Sequence, residues 1–326
     1  MAPAPFAWLL LGLVFGQAPS EAKDAAEPRI PFEQFTVQDE LGRSITAYLA
    51  PPPRASAGQR LPVILFITGS GCQSVWTRHE KGVNAGLQGL LYQLAQGRAR
   101  ILVVEKPGVK PLDTPKRFGG AQDGSREFLE EHTLARWATA NAAALKEVLA
   151  RPDIDPQRVL VVGHSEGGIV AARVAAEVPA VTHVAPLSCA GVTQLFSLVE
   201  LARRRAPEGQ GDAAAQAVYA EWAKIRAKPD SIDDFWMGHP YRRWSTFMSA
   251  SVIAELHRSK ARVYVAHGTA DEADSIIGFD VMLAELLAAG RDVTAERVEG
   301  GDHGFGVKGQ SGMQRVCGNV VEWFLK

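Results

Sequence analysis

Cysteine is scarce, with three in 326 residues, an odd number and too few for a disulfide framework. A Cys72–Cys189 bridge is conceivable, since each residue follows an expected core strand, but buried free thiols are the expected state. An excess of either charge is also lacking. The 35 Lys and Arg against 36 Asp and Glu leave a formal net charge of -1. With no basic run interleaved with aromatics, nothing calls for a nucleic acid or an anionic membrane as partner. No internal repeat is visible.

The apolar run Phe6 to Phe15 is too short to span a bilayer, at about ten residues where ~20 are needed. With the small residues Gly16-Gln17-Ala18 behind it, residues 1–22 resemble a secretory signal cleaved near Ala18 or Ala22. No Lys or Arg precedes the run, so a membrane anchor or a disordered tail is the alternative. No cysteine follows it for lipid attachment. A periplasmic or secreted protein is expected, with no stable membrane insertion after signal removal and a short linker at 23–32.

What is present is ordinary globular composition, 46% hydrophobic and 22% charged, and one organising stretch, Val159 to Ala172. Four apolar residues, Val159 to Val162, read as a strand buried on both faces, and Ile169 to Val178 reads as a helix packed on it. Between them lies Gly163-His164-Ser165-Glu166-Gly167. Patterns of small residues arise by chance among 31 glycines, but a strand before and a helix after make a chance match less plausible. A serine in so sharp a turn stands clear of the sheet, at a helix N-terminus that favours developing negative charge.

Elsewhere the pattern alternates. Phe35–Gln38 and Ser44–Leu49 read as a hairpin. Leu61–Ile67 and Ile101–Val104 are apolar strands around a helix at Gly86–Gln96. Val109 to Ser125 reads as a long surface loop. Leu134 to Leu149 keeps helical spacing, closed by Pro152 and Pro156, and Val181–Leu187 is the next strand. Alternation then stops until Ala261, with helices expected at Leu195–Arg205 and Ala213–Ala227. It resumes with Val263–Ala266, a helix at Ile276–Ala289, Thr294–Val298 and a helix at Gln314–Phe324. Strands alternating with helices mean a mostly parallel sheet covered on both faces, with functional groups at the strands' C-terminal ends.

A serine hydroxyl needs a base, and the base needs an orienting group. Among eight histidines, His164 adjoins Ser165 within the turn and His267 directly follows a core strand, a structural setting. His79, His132, His183, His239 and His257 have no distinctive setting. His303, in the glycine-rich loop Gly300 to Phe305, is favoured as base. Asp271 is favoured as the acid over Glu272, Asp274 and Asp302.

The order Ser165, Asp271, His303, with the exits His267-Gly268-Thr269-Ala270-Asp271 and Asp302-His303-Gly304-Phe305, resembles the α/β-hydrolase superfamily. It is similar to bacterial esterases and serine peptidases related to the dienelactone-hydrolase and prolyl-oligopeptidase domains. The resemblance implies an α/β-hydrolase fold, an eight-stranded, mostly parallel sheet with helices on both faces. It places the core at 33–191 and 261–326, with a helical cap inserted at 192–260. It further implies an oxyanion hole from the N–H of Glu166 and that of Ser70, with Gly71 as the alternative, and no metal or organic cofactor. Thr68-Gly69-Ser70-Gly71 stands where many relatives have His-Gly; a phosphate cradle there would lack its lysine.

Trp76, Trp236, Tyr241 and Trp244 are expected near the pocket, although the last three also suit a cap's own core. Hydrolysis of a carboxylic ester through an acyl-enzyme is the expected function. An aminopeptidase or amidase acting on short peptides is the runner-up. It would need cap carboxylates such as Glu200, Asp233 or Asp234. A non-catalytic binding protein of the same fold is the third reading.

Overall fold

The computed structural model describes residues 30–53, 58–80, 82–189 and 191–326. The expected signal at 1–22 and most of the linker lie outside them. The linker's last residue but belongs to the core: Phe32 is buried, its ring 5.0 Å from that of Trp76.

The chain opens with the hairpin β1 (Glu33–Gln38) and β2 (Ser44–Leu49), turned by Asp39, whose carboxylate accepts from the N–H groups of Leu41 and Arg43. Then come β3 (Leu61–Ile67), the small hairpin β4 (Thr77–His79) and β5 (Gly82–Asn84), α1 (Gly86–Ala95) and β6 (Arg100–Val104). Next are α2 (Arg126–Glu131), α3 (Leu134–Leu149), β7 (Ile154–His164), α4 (Glu166–Glu177) and β8 (His183–Leu187). Helices α5 (Gln194–Arg205) and α6 (Gly211–Ala227), the two-residue strands β9 (Phe235–Trp236) and β10 (His239–Pro240), α7 (Tyr241–Phe247) and α8 (Val252–Arg258) follow. The chain ends with β11 (Arg262–Gly268), α9 (Ile276–Ala288), β12 (Val293–Val298) and α10 (Met313–Leu325).

Eight strands form one sheet in the order β1-β2-β6-β3-β7-β8-β11-β12, antiparallel at β1–β2 and β2–β6 and parallel elsewhere. This is the α/β-hydrolase arrangement. The central strands read as unbroken apolar runs because both faces are covered. Val63, Leu65 and Ile67 of β3 join the core beneath α3, α4 and α9, while Ile64 and Phe66 join the core beneath α1 and α10. Residues between β8 and β11 add no strand to this sheet and carry an apolar cluster of their own, including Leu198, Val218, Ile225 and Trp244.

Two local expectations change. Pro156 lies inside β7 rather than before it, at a shift in register against β3 where no N–H is needed. Three short helices, α2, α7 and α8, went unforeseen; Ser125 caps the first and Ser251 the last. The segment from Val109 to Ser125 is the expected surface loop, and it is tethered by backbone bonds. Cys72 N–H donates to Gly120 O (3.2 Å) and Ala121 N–H to Gly238 O (2.8 Å), stitching it between the loop after β3 and the β9–β10 turn. Cys72, Cys189 and Cys317 are free and buried, so no Cys72–Cys189 bridge forms. Among the described residues no helix is long and apolar enough to cross a membrane.

Candidate active site

Ser165 joins β7 to α4 with φ 60° and ψ -127°, a strained backbone that costs about 1–3 kcal/mol and survives only where its surroundings enforce it. They do so here through glycines. A Cβ on Gly163 would lie 2.0 Å from Gly167 O, and one on Gly167 would lie 2.2 Å from Ile67 O. Ser165 N–H donates to Leu187 O (2.9 Å), and its hydroxyl makes no capping bond to the helix it precedes.

Asp271 and His303 meet. Asp271 Oδ2 accepts from His303 Nδ1 at 2.8 Å, while Oδ1 accepts from the N–H groups of Ala273 (2.7 Å) and Asp274 (3.0 Å). Burial pushes the Asp271 carboxyl upward, but the bond and charge of His303 outweigh it and hold it below the usual range. Burial would likewise depress His303, yet the bond to Asp271 and its charge raise it above an ordinary histidine. His164, whose ring burial pushes down to about 4, donates through Nε2 to His303 O at 2.8 Å. The residue beside Ser165 thus ties down the loop that carries the imidazole.

The rivals have other employment. Asp302 accepts from the N–H groups of Gly304 and Gly306 and shapes the loop. Asp274 is buried, pushed up to about 7 by that burial, and Glu272 is exposed. His267 is fully buried, its Nε2 3.4 Å from Asp271 Oδ2.

The loop after β3 lies against the serine: a Cβ on Gly69 would stand 3.5 Å from Ser165 Cβ. Among the described residues the N–H groups of Ser70 and Gly71 have no partner, and that of Glu166 lies in the open first turn of α4.

Residues 64–308 match the Alpha/beta hydrolase family. The chain belongs to that family. No curated protein matches it. Among solved structures, Pyrococcus horikoshii acylaminoacyl peptidase is similar at TM-score 0.60 and 14% identity, over 92% of this chain and 41% of that one. Porphyromonas gingivalis dipeptidyl peptidase 4 gives 0.57 and 12%, over 90% and 35%. Est1E from Butyrivibrio proteoclasticus, also solved with ferulic acid bound, gives 0.55 and 16%, over 90% and 97%. This α/β hydrolase therefore spans well under half the length of the peptidases, and nearly all of Est1E.

A cavity of about 270 Å³ opens beside the serine turn, lined by Thr68, Gly69, Gln73, Leu87, Phe118 and His164. A larger hollow at Arg126, Glu131 and Arg242 holds none of these residues; ion pairs such as Arg136–Glu131 and Arg242–Asp230 fill its rim. The expected pocket aromatics require correction. Trp76 is fully buried between Phe32 and Tyr48 and cannot reach a substrate. Tyr241 and Trp244 are buried in the cluster of the 192–260 segment, Tyr241 bonded to Glu221 and Trp244 to Trp236 O. Trp236 is half-buried beside Trp244 and does not line the cavity. Of the two phenylalanines that do line it, Phe66 is a buried residue of β3, and half-exposed Phe118 sits in the segment read as a surface loop.

Sequence reasoning also missed a charged cluster on Glu166. Arg243 Nε and Nη2 donate to Oε2 at 2.9 and 2.7 Å, His132 Nε2 lies 2.8 Å from Oε1, and Lys106 Nζ lies 3.7 Å from Oε1. All four side chains are at most 2% exposed. Burial alone would raise the Glu166 carboxyl, but these neighbours hold it well below the usual range. The available signal was Glu105-Lys106, two charges directly after the apolar run Ile101–Val104 of β6.

Proposed function

We propose that this hydrolase cleaves carboxylic esters through an acyl-enzyme formed on Ser165. The observation that carries the reading is the Asp271–His303 bond (2.8 Å), on a loop tied to the strained serine turn by His164. In the proposed reaction His303 Nε2 takes the hydroxyl proton as Ser165 Oγ attacks the ester carbonyl. Asp271 steadies the imidazolium, and the N–H groups of Glu166 and Ser70 receive the oxyanion. Collapse expels the alcohol, which takes the proton from His303, and a water activated the same way releases the acid.

An ester is favoured over a peptide because its alkoxide leaves with little help, whereas an amide nitrogen must be protonated by the histidine before it can depart. Of the cap carboxylates that a free amino terminus would need, each is paired through at least one oxygen or exposed. Asp234 is bonded to Lys228 (3.1 Å) and Ser231 (2.8 Å), Glu200 is paired with Arg204 (3.4 Å), and Asp233 is exposed. The proposed substrates are small, and export to the periplasm or beyond is part of the proposal.

Parallel assays on p-nitrophenyl esters and aminoacyl-p-nitroanilides test the ordering, with ester turnover expected to dominate. A fluorophosphonate should label the wild type and not Ser165→Ala. Dominant anilide turnover would reverse ester and peptide, and an unlabelled wild type would leave the binding-protein reading.

A further inference from the structure

The mechanism above uses the oxyanion loop but leaves open what shapes it. Three of its carbonyls in a row are held by side chains. Lys106 Nζ donates to Gly69 O (2.5 Å) and Gly71 O (2.8 Å), and Gln73 Nε2 donates to Ser70 O (2.9 Å). The described peptide bonds are all trans, so each carbonyl points opposite to the N–H of the next residue in the same plane. Holding Gly69 O toward Lys106 therefore turns the Ser70 N–H the other way. Holding Gly71 O does the same for Cys72, whose N–H indeed finds Gly120 O. Among the described residues the Ser70 N–H is left with no partner.

We propose that Lys106 is the positioning residue of the oxyanion hole, holding the Gly69 and Gly71 carbonyls so that the Ser70 N–H is presented to the substrate carbonyl at Ser165. The same ammonium stands 3.7 Å from the carboxylate of Glu166, whose N–H is the second proposed donor. One buried cation thus registers both halves of the hole. A lysine only 2% exposed carries a desolvation penalty of several kcal/mol, and its contacts here are loop carbonyls and the Glu166 carboxylate. Lys106 and Arg243 against Glu166 also leave the cluster one positive charge in excess when His132 is neutral. Burial pushes His132 that way. That field lies behind the site where negative charge develops.

The proposal rests on acyl transfer at Ser165. The test compares wild type with Lys106→Met on a matched pair of substrates, an ester and its thionoester, whose sulfur is a poor hydrogen-bond acceptor. The variant is expected to lose about 10²-fold in kcat on the oxo-ester, with KM changed less than about threefold. Its loss on the thionoester should be much smaller, so the oxo/thiono ratio collapses. Retention of kcat within about threefold, or an equal loss on both substrates, would overturn the proposal, since a purely structural lysine moves both rates together. A wild-type structure with a phosphonate on Ser165 decides the matter even when the variant does not fold. The phosphoryl oxygen should sit on the N–H groups of Ser70 and Glu166 with Lys106 still on Gly69 O; an oxygen held elsewhere refutes it. A wild type that neither labels with the phosphonate nor turns over esters overturns the Ser165 reading, and this one with it.

Discussion

Replacing Arg243 by Met should be among the most damaging changes to stability away from Ser165. The guanidinium sits in α7, 1% exposed, and makes two charge-assisted bonds to a carboxylate that is itself 1% exposed. It also stacks 4.0 Å over Trp244 and 4.7 Å over Phe247. Methionine keeps much of the apolar contact but leaves Glu166 Oε2 without its two donors, with only His132 and Lys106 beside Oε1, and breaking a buried pair costs about 3–5 kcal/mol. Urea unfolding at pH 7 should show that loss, with Tm lower by roughly 10 °C. Glu166→Gln alone should be costly too, because it strands Arg243. The double variant should cost less than the sum of the singles by at least about 2 kcal/mol. The sign of the pH dependence follows from the depressed Glu166 value. Its contribution is complete above the ordinary carboxylate range and is lost as pH falls through the lower folded value. The gap between wild type and Arg243→Met should therefore narrow in strong acid. A loss under about 1 kcal/mol, or strict additivity of the two changes, would refute the reasoning.

Other outcomes follow from the same geometry. Because Asp271 raises His303, kcat/KM should climb with pH through a midpoint above 6.5. Asp271→Asn should move that limb to lower pH and cut kcat about 10⁴-fold, as initial rates across pH will show. Ser165→Ala should abolish ester turnover while circular dichroism and thermal melting stay near wild type. Glu105 is pushed by burial from 4.5 to about 7, its partners Ser74, Val75 and Tyr48 offsetting only part of that. At 1.36 kcal/mol per unit the folded state then loses about 3 kcal/mol as pH rises from 4.5 to above 7, because it binds the extra proton there. Glu105→Gln should flatten that decline relative to wild type, and parallel urea titrations at pH 5 and 8 measure the difference. Gly163→Ala must move a backbone carbonyl now 2.0 Å from the new Cβ; poor folding or a lost serine site is expected, read by soluble yield and phosphonate labelling.

Strands such as Leu61–Ile67 were legible because burial on both faces leaves an unbroken apolar run, and β3 has those bounds. The meeting of Asp271 and His303 was legible for a related reason: parallel strands deliver their exit loops to one end, so motifs distant in sequence can stand side by side there. The surroundings of Glu166 were not. Lys106, His132 and Arg243 come from three separate stretches of chain, and nothing local marks a carboxylate whose partners lie 60, 34 and 77 positions away. Aromatics misled in the opposite sense. Trp76, Tyr241 and Trp244 are equally good core and pocket residues, and packing in the core removes far more apolar surface from water than lining an open cleft. Phe118 was hidden among Pro, Gly and charge because its loop is held by backbone bonds to Cys72 and Gly238 neighbours, which leave no side-chain pattern.

The bond between Arg243 and Glu166 bears on how a molecule gets in. Swinging the 192–260 segment away as one body would pull a guanidinium off a carboxylate in a dry interior. That pair alone, at about 4 kcal/mol, would limit opening to roughly one molecule in a thousand, and Phe247, Val252 and Leu256 of the same segment are also set in the main core. Traffic is cheaper past the rim at Phe118, where only a loop must yield. Anyone transplanting a foreign roof onto this sheet to widen its diet should bring an arginine with it.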